Sequence, residues 1–185
     1  MTKLLITFLL LSISTFEQTI IQQDSLNKQS KLIDDWKTLN QSNYSIQYPS
    51  SWELNESGKM GTSFILFSPL ESDKDEFKEN VNLLIQDLSG QNIDLNKYCE
   101  ISVGQIKTMI TNSNLIENRR EKNKRGEYHK VIYSGDQGLF QLQFEQYYWV
   151  INEKAFVLTF TTEKDKFEDF KEIGEIILNS FFLKK

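Results

Sequence analysis

Tyr44-Ser45-Ile46-Gln47-Tyr48-Pro49-Ser50-Ser51-Trp52 is the stretch whose reading decides the fold. Its first five residues alternate large apolar and small polar side chains, the period of a strand with one face buried. Pro49 ends it, because the ring fixes φ and removes a ladder donor. With only two prolines in 185 residues, that stop is specific. Trp52 then supplies a large apolar ring to fasten the corner. Working outward, Trp36–Leu39 and Tyr44–Tyr48 flank the turn Asn40-Gln41-Ser42-Asn43 and read as a hairpin. Gly61–Phe67 and Val81–Leu88 read as further strands. The first is apolar on both faces, Phe64 and Leu66 against Ile65 and Phe67, and is expected as a central strand covered from both sides.

Beyond these strands, Asp94 is placed to cap a helix with an apolar stripe at Leu95, Cys99, Val103, Ile106, Met109 and Ile110. Four strand patterns follow, Leu115–Glu121, Glu127–Ser134, Leu139–Val150 and Ala155–Thr161, separated by short turns that make an antiparallel meander. One of those turns is expected at Gly135-Asp136-Gln137-Gly138. A last helix, from about Lys164 to Asn179, carries Phe167, Phe170, Ile173 and Ile177 as its buried stripe. Gly174 costs that helix about 1 kcal/mol against Ala, which is tolerable where the helix must approach the sheet closely. The expected fold is α+β: a three-layer α/β/α sandwich with an antiparallel sheet and helices on both faces.

Met1–Phe16 reads as a secretory signal peptide, with Lys3 before the apolar run Leu4–Ile13 and small hydroxyl residues behind it. Ten apolar residues are too few for a bilayer crossing, which takes about 20. An uncleaved interfacial anchor is the alternative, since no Ala-x-Ala cleavage site is present. Residues 17–33 form a polar, glutamine-rich linker, and residues 34–185 form the domain. The chain is expected to be exported, periplasmic or extracellular, with membrane contact at most peripheral. A net charge of −5 argues against nucleic-acid binding. The single cysteine, Cys99, forms no internal disulfide, so the core carries the stability.

Several pieces in this order resemble the PsbP-like family: Tyr44–Trp52, Phe64-Ile65-Leu66-Phe67-Ser68-Pro69, Glu79–Ile85, Gln146–Thr161, and the terminal helix closing on Ser180-Phe181. That fold is shared by the extrinsic photosystem II protein PsbP, DcrB-type envelope proteins and a Ran-binding nuclear import factor. The resemblance spans about Trp36–Leu183 and implies a scaffold whose members act mostly as non-catalytic binding or assembly modules. No photosynthetic role and no metal site transfer to these residues.

The residues themselves give little chemistry. His129 and Cys99 are single, so neither a Cys/His metal site nor a nucleophile–base pair is available, and each reads as a packed residue of its element. Glu71, Asp73, Asp75, Glu76 and Glu79 gather carboxylates around Lys74, which reads as a solvated acidic loop rather than a calcium site. Arg119, Arg120, Lys122, Lys124 and Arg125 put five cations at a hairpin tip. Such a tip protects a sheet edge from pairing, or docks on an acidic partner or an anionic surface. On Leu139–Trp149, the alternation sets Gln141, Gln143, Glu145, Tyr147 and Trp149 opposite the core residues Phe140, Leu142, Phe144 and Tyr148. Tyr147 and Trp149 then either line a partner-binding face or are covered by a helix. The expectation is an exported, non-enzymatic binding or assembly module with a protein partner in the envelope, no cofactor and no catalytic residues. The alternative is a carrier that holds a small apolar molecule or lipid between sheet and helix.

Overall fold

The computed structural model describes residues 35–123 and 126–184, with the backbone alone at Asn123. The expected signal peptide and linker lie outside the described residues, as do Lys124 and Arg125 at the hairpin tip. The chain divides into two compact units, Met1–Lys37 and Thr38–Lys185; all that follows concerns the second.

Ten strands and two α-helices alternate in an α+β order: β1 (Trp36–Asn40), β2 (Tyr44–Pro49), β3 (Glu53–Asn55), β4 (Thr62–Phe67), β5 (Asn80–Asp87), α1 (Leu95–Met109), β6 (Thr111–Asn123), β7 (Gly126–Gln137), β8 (Phe140–Ile151), β9 (Lys154–Glu163), α2 (Phe167–Ser180) and β10 (Phe182–Leu183). Seven strands form one antiparallel sheet, β3-β4-β5-β9-β8-β7-β6, and the other three form a small sheet, β1-β2-β10. No described helix is long and apolar enough to cross a membrane.

The opening stretch keeps its expected shape. Tyr44, Ile46 and Tyr48 are buried while Ser45 and Gln47 are not, β2 ends at Pro49, and the Trp52 amide donates to the Pro49 carbonyl at 3.0 Å with the indole buried. Tyr44 packs between Phe64 and Phe181, with ring centroids 5.8 and 5.7 Å away, which ties β2 to β4 and to the chain end. β10 pairs back on β2, Phe182 opposite Ser45.

The four-strand meander forms, with each strand longer than its sequence pattern suggests. The expected turn at Gly135–Gly138 is a correction: Gly135 to Gln137 are strand, and the exposed Leu139 is in the turn instead. Gly135 marks a close approach, since a Cβ there would lie 2.3 Å from Ile110 Cγ2 at the end of α1. β4 is also corrected. It is one strand from the edge rather than central, with the three-residue β3 outside it, although Phe64, Ile65 and Leu66 are all buried as its two-faced pattern requires.

The Asp94 side chain accepts from the Lys97 amide at 2.8 Å and caps α1. Cys99, Val103 and Ile106 bury against Val131, Tyr133, Phe144 and Tyr148. Met109, expected in that stripe, is a correction: it is 74% exposed because it falls on the flank of the helix. On α2, Phe167, Gly174 and Ile177 are buried, and a Cβ on Gly174 would fall 2.3 Å from the Phe160 ring, the close approach its presence suggested.

Candidate functional site

Beside the stripe that α1 buries runs a second row at helical spacing, Tyr98, Ser102, Gln105 and Met109. This row borders a cleft of about 260 Å³ whose other wall is Leu84 and Gln86 of β5, Gln146 and Tyr148 of β8, and Val157 of β9. Strand alternation sets those residues on the α1 side, and helix capping at Asp94 fixes the height of the row above them. The space between α1 and the sheet is filled by the core cluster; the open volume lies along the flank of the helix. It continues across Gln86, Tyr98, Ser102 and Gln105 into a shallower recess of about 510 Å³ that reaches Gln91 and Ile101.

No charged side chain lines the 260 Å³ cleft, in a chain where a quarter of the residues are charged. Its polar groups are amides and hydroxyls. The Tyr98 hydroxyl donates to Gln86 Oε1, the Tyr148 hydroxyl to Gln146 Oε1, and Gln146 Nε2 to Thr159 Oγ1 at 3.1 Å. Tyr98 and Tyr148 meet edge to face at 5.7 Å. Burial pushes the Tyr98 and Tyr133 phenols up to about 12 and raises Tyr148 as well, so all three stay neutral at physiological pH. Among the described residues, the amide N–H groups of Gln86 and the whole side-chain amide of Gln105 have no protein partner and face the opening.

The residues singled out from the sequence fall elsewhere. Arg119 is held between Glu117 and Glu121, both at 2.6 Å, and Arg120 bonds Asn96 Oδ1 with Glu127 3.9 Å away, so both arginine charges are matched locally. Lys122 is exposed near the same tip. Tyr147 and Trp149 are 3% and 9% exposed, and Trp149 packs on Phe181 with centroids 5.1 Å apart. They lie on the side that takes Lys130, whose ammonium sits 2.7 Å from the fully buried Glu145 and 3.6 Å from Glu175 of α2. Burial alone would lower the Lys130 pKa; the hydrogen bond and charge of Glu145 outweigh it and hold the value up.

The acidic loop closes on Lys166, which contacts Glu71, Asp75 at 3.8 Å and Glu163 at 3.5 Å. Backbone amides of Glu71 and Phe77 donate to Asp75 and pull its pKa down. Glu79, read with that loop, is instead buried and accepts from Ser68 Oγ at 3.1 Å, and burial raises its pKa. His129 is half-buried against Asn118, and Cys99 is buried with its thiol pushed up to about 12. Among the described residues, no group of three or more His, Cys, Asp or Glu is arranged to hold a metal ion.

Sequence reasoning assigns no role to Gln86, Tyr98 or Gln105. A signal for them exists in the second helical row, where two residues with amide or hydroxyl side chains and an exposed methionine follow Tyr98 at the period of the core stripe.

With this geometry in place, comparison with solved structures defines the class. The chain is similar to cyanobacterial PsbP (CyanoP) from Synechocystis sp. PCC 6803, at 14% identity and a TM-score of 0.58, covering 81% of this chain and 93% of that one. It is similar to LpqN of Mycobacterium tuberculosis, a protein involved in cell envelope biogenesis, at 12% identity and a TM-score of 0.63, covering 84% and 95%. PA94 of Pseudomonas aeruginosa matches at 10% identity and a TM-score of 0.56, covering 78% and 94%. No known protein family matches the sequence itself, and no curated protein does. The fold is PsbP-like. At these identities the likeness is one of architecture, and activity has to be argued from the site.

Proposed function

We propose that the protein is an exported, non-enzymatic binding module of the cell envelope, and that the cleft beside α1 holds its ligand. One observation carries this reading: an open, wholly uncharged cleft whose amide groups point at solvent while the rest of α1 is sealed onto the sheet. Convergent polar groups over an apolar floor are what ligand sites offer. A binding role without catalysis is supported by the lining, which holds neither His129 nor Cys99 and no carboxylate. Export is supported by the leader pattern of residues 1–16, and an envelope setting by the likeness to LpqN.

The same reading takes the fold as a three-layer α/β/α sandwich. Supporting it, α1 packs on Phe144 and Tyr148 of β8, whereas Glu175 of α2 reaches Lys130 beside Glu145, and adjacent strand residues point to opposite faces. Docking of an acidic partner or anionic surface on Arg119–Arg125 ranks lower, because Arg119 and Arg120 already have carboxylate or amide partners. Native mass spectrometry of the full chain purified from an envelope fraction tests the proposal. A bound mass carried by the wild type and lost in Met109→Glu is expected; identical spectra for the two would contradict it.

A further inference from the structure

The geometry of the cleft points to one class of ligand, an uncharged amphiphile with an alkyl chain and a hydroxyl- or amide-bearing head. This rests on the reading of the cleft as the ligand site. A charged head would have to be desolvated with no counter-charge in the lining, which costs several kcal/mol. The lining is also sided. Toward the start of α1 stand Tyr98, Ser102 and Gln86, and this end runs on into the polar recess; toward its end stand Ile106, Met109 and Ile110. The exposed Met109 and the 38%-exposed Ile101 form an apolar lip that a soluble surface has no structural reason to show. A peptide strand is a poorer fit, since β5 and β9 are each already paired on both edges and offer it no backbone partners.

The test is calorimetric titration of the full chain with monodecanoylglycerol below its micelle concentration, beside decanoate and decyltrimethylammonium, which pair the same chain length with other charges. Saturable one-to-one binding of the glycerol ester is expected, with both ions weaker by about tenfold or more. Met109→Glu and Gln105→Glu, both at exposed positions, should each weaken the ester by about tenfold or more while leaving the thermal midpoint in place. If either ion binds as tightly as the ester, the uncharged class is wrong and the cleft survives as a site. If no probe gives saturable heat, or the ester binds both variants as it binds the wild type, the amphiphile and the cleft reading fall together.

Discussion

α1 and α2 each carry one glycine, and the two glycines stand in contrasting surroundings. A Cβ on Gly174 of α2 would meet three Phe160 ring carbons at 2.3 to 2.6 Å, and Phe160 is fully buried. A Cβ on Gly104 of α1 would meet nothing within 4 Å. The seal around α2 extends through Trp149 on Phe181 and through Glu175 to Lys130 and Glu145. Around α1 the core stripe is sealed, but the neighbouring row of Tyr98, Ser102, Gln105 and Met109 borders open space. One helix is thus committed to stability along its whole buried side, and the other leaves a margin in which a ligand can lie.

The strongest way to break this contrast is Lys130→Met, which leaves Glu145 ionised in a fully buried place without its cation. A loss of about 3–5 kcal/mol is expected from urea unfolding. Pairing it with Glu145→Leu should recover most of that, whereas a loss near zero in the single variant would show the α2 side to be loosely packed. Next, Gly174→Val should cost about 3 kcal/mol by overpacking against Phe160. Its counterpart Gly104→Ala should raise stability by roughly 0.8 kcal/mol, because the helix gains propensity and meets no obstacle. Equal signs at the two glycines would erase the distinction.

A smaller effect concerns Glu79. Burial raises its carboxyl above the ordinary value, so the folded state favours the protonated form. Its contribution to stability is therefore full below the unfolded-state pKa and is lost as pH rises through the raised folded value. Glu79→Gln removes that dependence. The variant should be the more stable of the two at neutral pH, with the gap closing in acid; a gap that widens in acid would reverse the sign of the argument.

Much of the fold is legible in the sequence because short-range rules set it. Tyr44–Pro49 alternates and stops where the proline requires, Asp94 caps where a helix pattern begins, and Gly174 flags a close contact. Long-range pairing is what the patterns do not carry. The apolar run of β4 looks central, yet it lies one strand from the edge, because burial on both faces comes from what covers a strand and not from its rank in the sheet. Gly135 looks like a turn and is a contact with Ile110. The cleft is harder still. Gln86 and Gln146 reach the α1 row only through the β5-β9-β8 order, which joins strands distant in sequence. Tyr147 and Trp149 draw attention as aromatics, but their alternation alone does not tell a recognition face from one lying under α2 and the chain end.

The most direct test of the central claim is amide chemical-shift mapping of the full chain titrated with monodecanoylglycerol. Saturable shifts gathered on Tyr98–Met109, Leu84–Gln86 and Gln146–Tyr148 are predicted; shifts confined to Arg119–Lys122 or to α2, or none at all, would contradict it.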